Sequence, residues 1–359
     1  MKITFLCPHL RIAGGVRAIL TYADLLARRG HRVTLVVPAR SRLRTLWLTL
    51  RGERPGWMPS LRARVIWTPR WDVASLPAAD VIVATAWRSA PVVASAPADR
   101  GAKFYFVQHY ESLYHGAAEE VDATYRLPLA KVVISTWLGD LMRDRFASPA
   151  EVIVTPVDRH LFRRVPASVM TSRPRVLMLH HEYEWKGVSD GLAAVARVKP
   201  TVPGLRLVGF GVRRPRVRLP YDEFHLDPPQ ESLAALYSGV DIYLCPSWDE
   251  GLGMPAMEAM ACGAALVTYD NGGCRDYARD GETALVARRR DVDDLAARLQ
   301  RLAVDTPLRA KVASAGEALV TTTFDWDRAV GQLEALFESA MSGPSPGRWR
   351  GQQARPDDA

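Results

Sequence analysis

Short apolar runs alternate with stretches of helical period along this chain. Residues 2–8 make a β-rich apolar run, and a short loop containing Gly14-Gly15 follows. From 16 to 29 the residues Ile19, Leu20, Ala23, Leu26 and Ala27 fall on one helical face, and Gly30 ends the pattern. Residues 33–38 read as the next strand. Strand, helix and strand in this order form a βαβ unit, which predicts a parallel sheet. Apolar runs at 81–85, 104–107, 132–135 and 152–154 extend that sheet.

The pattern restarts after a polar, proline-containing stretch at 166–174. Runs at 176–179, 205–209, 242–245 and 265–268 predict a second set of strands, and 291–303 and 327–341 predict helices. The expected fold is α/β, with two Rossmann-like, doubly wound domains, residues 1–167 and 168–341, facing a central cleft. The last helix of the second domain is allowed to pack back on the first. Residues 342–359 lack periodicity and read as a disordered tail.

The length of 359 residues agrees with two domains, because single cores rarely grow that far. No run of about 18 apolar residues predicts a spanning helix. The first residues are too short and too soon interrupted to read as a signal peptide. Cys7, Cys245, Cys262 and Cys274 have neither CxxC nor zinc spacing, so they are expected to be reduced structural thiols of a cytoplasmic protein. The net charge of +8 comes from 41 arginines and only six lysines. It favours anionic partners without choosing among them.

One stretch of basic charge is richer in meaning. Residues 40–70 hold eight arginines, one glutamate, and Trp47, Trp57 and Trp67. That mixture suits peripheral contact with an anionic membrane. Nucleic acid is a less favoured partner, and a solvated loop and helix with some buried tryptophans is the bland alternative. Arg213, Arg214, Arg216 and Arg218 are read as a solvated basic loop.

The most informative segment is Cys245-Pro-Ser-Trp-Asp-Glu250-Gly-Leu-Gly-Met-Pro-Ala-Met-Glu258-Ala-Met-Ala-Cys-Gly263. Two glutamates flank a glycine-rich turn between a strand and a helix. Pro255 fits the first helical position. Gly251 and Gly253 let backbone approach a ligand, and a helix N-terminus suits a phosphate. The carboxylates would repel that phosphate, so hydroxyls of a sugar and a ribose are their natural partners. Together these features point to a nucleotide-sugar site.

This string resembles the retaining family 4 glycosyltransferases of the GT-B fold, whose hallmark is a Glu-x7-Glu segment. The resemblance covers about residues 1–340 and is most specific at 237–273. It implies transfer of a hexosyl or deoxyhexosyl group from a dTDP-, UDP- or GDP-sugar to an acceptor hydroxyl, with retention, no metal and no other cofactor. By the same resemblance Glu258 holds the ribose hydroxyls and Glu250 contacts the donor sugar. Lys186 and the backbone at Gly251, Leu252, Gly253 and Met254 hold the diphosphate. The family places an arginine five residues before this lysine, where this chain has His181. A neutral histidine cannot replace that bidentate, permanently charged clamp.

Gly14 and Gly15 match a family glycine loop near the donor. His109, after the 104–107 strand, matches a histidine near the donor sugar, and joins Glu250 and Lys186 as an implied catalytic residue. Trp87 and Arg88 are candidates for acceptor contact. Asn271-Gly272-Gly273 resembles another glycine loop near the donor, whereas Thr155-Pro-Val-Asp158 departs from the family pattern and receives no role. The phrase Tyr105-Phe-Val-Gln-His-Tyr-Glu111 also resembles a rhamnosyltransferase-like branch.

Expected partners are a nucleotide-sugar and a glycan, lipid-linked or small-molecule acceptor in polysaccharide or cell-envelope biosynthesis, in the cytoplasm or at the inner face of the cell membrane. A nucleotide-sugar epimerase or hydrolase of the same fold remains an alternative, as does a non-catalytic protein that binds sugar or nucleic acid.

Overall fold

A computed structural model describes residues 1–165 and 174–342. The described chain divides into two compact units, Met1–Ile153 with residues 327–342, and Val154–Trp326. The expected boundary at 167/168 lies outside the described residues, as does the expected tail beyond Ser342.

The first unit contains β1 (Lys2–Leu6), α1 (Gly14–Arg28), β2 (Arg32–Pro38), α2 (Arg42–Leu50), β3 (Arg64–Thr68) and β4 (Val81–Ala84). It continues with α3 (Ala90–Ser95), β5 (Ala102–Val107), α4 (Ala118–Tyr125), β6 (Ala130–Val133), α5 (Thr136–Phe146) and β7 (Ala150–Val152). The seven strands pair in parallel in the order β3-β2-β1-β4-β5-β6-β7. Ile19, Leu20, Ala23 and Leu26 bury the predicted face of α1, while Ala27 is only half-buried. The helix begins two residues earlier than expected, so Gly14 and Gly15 occupy its first turn and not a loop.

The second unit contains β8 (Arg175–Leu179), α6 (Val188–Val198), β9 (Arg206–Gly211), β10 (Glu223–Leu226), α7 (Gln230–Ser238) and β11 (Ile242–Cys245). There follow α8 (Met254–Ala261), β12 (Ala265–Tyr269), β13 (Leu285–Ala287), α9 (Val292–Val304) and α10 (Thr306–Thr322). Its sheet is also parallel, in the order β10-β9-β8-β11-β12-β13. Val176, Met178, Leu207, Ile242, Leu244 and Val267 pack into one core with Val195 and Val198 of α6 and Leu295 and Leu299 of α9.

The final helix, α11 (Trp326–Ser342), lies almost wholly in the first unit. Its Phe337 meets Phe104 edge to face at 4.8 Å. Glu334 pairs with Arg29 at 2.8 Å and His31 at 2.5 Å.

Both sheets reverse their strand order once, between β1 and β4 and between β8 and β11. In open parallel sheets a ligand crevice forms outside the carboxyl ends of the strands at such a reversal. The loops leaving β8 and β11 carry Lys186 and Glu250. Those leaving β1, β4 and β5 lead to Gly14-Gly15, Trp87-Arg88 and His109.

Candidate active site

Lys186 and Glu250 meet at the reversal in the second unit. The ammonium Nζ donates to Glu250 Oε1 at 2.7 Å, and both side chains are largely buried. Three loops hold this pair. After β8, the chain makes a single turn over Glu184–Lys186 and then takes the left-handed conformation at Gly187, with φ of 62°. A Cβ on Gly187 would lie 1.9 Å from the carbonyl oxygen of Pro246, so only glycine lets the β8 and β11 loops touch there. Trp248 N–H then donates to the Trp185 carbonyl at 2.7 Å. The third loop follows β12: Glu250 N–H donates to the Asn271 carbonyl at 3.0 Å, and Glu250 bridges to Gly272.

Helix α8 starts beside the pair. Its N-cap is Gly253, at φ 94°, a residue with no side chain of its own to cap the helix. Met254 is the first helical residue and Pro255 the second, one position later than expected; proline is tolerated there because first-turn amides have no intrahelical acceptor. Tyr277 O–H donates to the Gly253 carbonyl at 3.3 Å from below the turn. Gly251, Leu252 and Gly253 are buried and Met254 is half-buried. Lys186, Cys245, Glu250, Gly253 and Pro255 line a common small cavity. The arrangement thus places a cation, a carboxylate and a helix N-terminus together, a set able to bind phosphate and hydroxyl groups at once.

The second glutamate of the motif lies deeper. Glu258 is 2% exposed and accepts the Tyr237 hydroxyl at 3.2 Å. His181 lies within electrostatic reach of Lys186 and Glu250, and its Nδ1 accepts the Tyr183 amide at 3.1 Å, leaving the ring proton on Nε2. Burial, followed by the nearby Lys186 charge, pushes the His181 pKa below its usual 6.5. The ring is therefore neutral at pH 7, a single donor without charge. Beside it, Glu182 pairs with Arg213 at 2.5 Å and Arg216 at 3.3 Å, so half of the basic cluster read as solvated is engaged. Asn271 is buried, and its side-chain oxygen accepts the Cys274 amide at 3.0 Å.

The remaining candidates belong to the first unit. Gly15 lies against Gln108, with 3.2 Å between its Cβ direction and Gln108 Oε1, so the start of α1 touches the end of β5. His109 is half-buried; its ring meets Tyr114 edge-on at 5.9 Å and its carbonyl accepts the Tyr125 hydroxyl at 3.3 Å. The Arg88 guanidinium lies 5.0 Å from the centre of the Trp87 ring.

Glu111 is a residue to which the sequence reading gave no role. It accepts the Trp87 amide at 2.9 Å, and Tyr125 O–H receives the Glu111 amide at 2.9 Å. Burial raises its pKa from 4.5 to about 7. Its one sequence signal was an acidic residue at the end of the strand phrase that also carries His109.

Among the described residues, no group of three or more histidine, cysteine, aspartate or glutamate side chains is placed to hold a metal ion.

Comparison with known proteins places these features in context. Residues 164–319 match the family model described as glycosyl transferases group 1. The O-antigen biosynthesis protein RfbC of Myxococcus xanthus is 30% identical over 341 residues, which is 90% of this chain and 26% of RfbC. An MMP alpha-(1->4)-mannosyltransferase of Mycolicibacterium hassiacum is 29% identical over 239 residues, 60% of this chain and 55% of that protein. The chain therefore spans between about a quarter and about half of the length of these relatives.

Among solved structures, sucrose-phosphate synthase from Thermosynechococcus elongatus superposes with a TM-score of 0.79 at 18% identity, covering 95% of this chain and 99% of that one. HepE of Anabaena, solved with UDP-glucose, gives 0.75 at 17% identity, covering 94% and 100%. The fold is the GT-B fold, two Rossmann-like α/β domains with parallel sheets.

Proposed function

We propose that this chain moves a hexosyl or deoxyhexosyl group from a nucleoside diphosphate sugar to an acceptor hydroxyl, in the assembly of a glycan or cell-envelope glycoconjugate. The observation that carries this function is the Lys186–Glu250 pair, 2.7 Å apart beside the start of α8 at Gly253. The match to glycosyl transferases group 1 over 164–319 supports it, since that segment holds Lys186, Glu250, Glu258 and the start of α8. UDP-glucose in the related HepE structure supports a nucleotide-sugar donor.

In the proposed reaction the bond from the anomeric carbon to the diphosphate breaks, and a bond to the acceptor oxygen forms on the same face. The acceptor's proton leaves with the diphosphate. Lys186 and the Met254 amide at the start of α8 neutralise the charge that grows on that leaving group, so the step needs no metal. Glu250 exchanges its contact with Lys186 for a donor-sugar hydroxyl. Glu258 takes the ribose hydroxyls beside, or in exchange for, the Tyr237 hydroxyl. Trp87 and Arg88 are assigned to the acceptor and His109 to the donor sugar. The four buried free cysteines support a reducing, cytoplasmic setting.

A thermal-shift screen of UDP, dTDP, GDP, ADP and their sugars tests this function. A nucleotide at about 100 times its dissociation constant adds about 2.7 kcal/mol, a rise of a few degrees in Tm. One base should stand out, with a smaller shift in Lys186→Ala, and the sugar of that base should be transferred. The absence of any shift with the wild-type chain would refute the donor site. Full-rate conversion of the donor without an acceptor would replace transfer by epimerisation or hydrolysis.

A further inference from the structure

Helix α2 turns an apolar face to solvent. Leu43, Leu46, Trp47 and Leu50 follow the i, i+3, i+4, i+7 spacing of one helical face. They are 83%, 59%, 51% and 78% exposed. Leu48 is the buried residue that anchors the helix from the other side. Ser41 fixes its start, its hydroxyl oxygen accepting the Arg44 amide at 3.2 Å. The face is therefore part of a formed, capped helix.

Charge surrounds this face. Arg40, Arg42, Arg44 and Arg51 lie on α2 or at its ends, and all four are exposed. Among the described residues none of them forms an ion pair; Arg51 instead lies 4.5 Å over the Trp47 ring. Residues 40–70 carry eight arginines against one glutamate, so +7 of the chain's net +8 sits in this stretch. Three leucines offer nothing for a nucleic-acid base to stack on, whereas an aliphatic face ringed by arginine matches a headgroup layer over acyl chains. A tryptophan at the edge of such a face suits the same boundary.

We infer that α2 is a docking helix for an anionic lipid bilayer, lying in the plane of the interface with Leu43, Leu46, Trp47 and Leu50 inserted and the arginines on phosphate. No helix among the described residues is long and apolar enough to cross a membrane, so the contact is peripheral. It is independent of the proposed transfer reaction and is measured without donor or acceptor.

The experiment is co-sedimentation of the full chain with vesicles of phosphatidylcholine alone or mixed with phosphatidylglycerol, at low and high salt. Wild type is expected to bind the anionic vesicles at least tenfold more tightly than the neutral ones. Leu43→Ser/Leu46→Ser/Leu50→Ser and, separately, Arg42→Gln/Arg44→Gln/Arg51→Gln should each lower that binding about tenfold or more. All six positions are exposed, so circular dichroism and Tm should stay as in wild type; if one variant misfolds, the other still decides. Arg214→Gln/Arg218→Gln, in the other basic loop, should bind as wild type.

Equal binding of both vesicle types, no binding to either, or undiminished binding by the serine variant would overturn the inference. So would a wild-type dimer that the serine variant abolishes while vesicle binding persists, since α2 would then contact a second copy.

Discussion

Lys186 Nζ stands 2.7 Å from Glu250 Oε1, and the two residues come from loops 64 positions apart in sequence. Each neutralises the other in a mostly buried place, with 20% and 11% of their side chains exposed. Removing one partner leaves the other charged and poorly solvated, which costs most when burial is complete. Lys186→Ala should therefore lose about 2–3 kcal/mol of stability, less than the 3–5 of a fully buried pair. Glu250→Gln keeps an oxygen for the ammonium and should lose about 1 kcal/mol. Its transfer rate should nonetheless fall at least about 100-fold, because a neutral amide accepts a sugar hydroxyl more weakly than a carboxylate. Urea denaturation beside an activity assay separates the two effects. A Glu250→Gln enzyme with wild-type turnover would remove Glu250 from the chemistry.

Gly187 shows how narrow the local tolerance is. It combines φ of 62° with a Cβ direction that ends 1.9 Å from the Pro246 carbonyl. Gly281, in the same unit, has φ of 75° with open space around it. Gly281→Ala should cost about 1 kcal/mol, the conformational penalty alone. Gly187→Ala must also push apart the loops that hold Lys186 and Glu250, and should cost at least about 3 kcal/mol. Equal melting points for the two variants would mean that the loops separate freely.

Sequence periodicity located the central strands of both sheets within a few residues, because fully buried parallel strands are continuous apolar runs. It missed β3, β10 and β13 for the converse reason. Each is an outer strand of its sheet; β3 is half-buried amid arginines, and β13 has only three residues. The Glu250 segment was legible because a strand, a glycine turn and a helix start stand together. The contact of Lys186 with Glu250 was not, since it depends on a backbone approach at Gly187 that no local pattern encodes. Glu111 was not legible either, for its raised pKa arises from burial, and its contacts with the Trp87 amide and the Tyr125 hydroxyl are made only in the fold.

On the proposed function, His181 is expected to make nucleoside diphosphate binding dependent on pH. Burial and the Lys186 charge hold its pKa below the usual 6.5, so the ring gains charge only at acidic pH. Nucleoside diphosphate should bind the wild-type chain more tightly at pH 5.5 than at pH 7.5, by several-fold after correction for the phosphate's own protonation. His181→Arg carries its charge throughout and should flatten the profile, with affinity at pH 7.5 gaining up to about tenfold from a charge-assisted bond. Titration calorimetry at the two pH values measures both. Parallel profiles for wild type and variant would place His181 outside the phosphate site.

Glu111 gives stability a pH dependence of its own. Its folded pKa of about 7 exceeds the ordinary 4.5, so the folded state holds a proton that the unfolded state releases. The associated stability is complete below about 4.5 and is lost as pH rises through about 7. A shift of this size corresponds to a few kcal/mol at most. Glu111→Gln retains an oxygen for the Trp87 amide, now 2.9 Å from the carboxylate, and has nothing to titrate. The variant should match wild type near pH 4 and exceed it by several degrees in Tm at pH 8. Histidines such as His9 and His115, whose pKa values are lowered by burial, titrate in the same range in both proteins, so the difference between the two curves isolates Glu111. Curves that run parallel from pH 4 to 8 would mean that the carboxylate titrates as it does in the unfolded chain, with water reaching it.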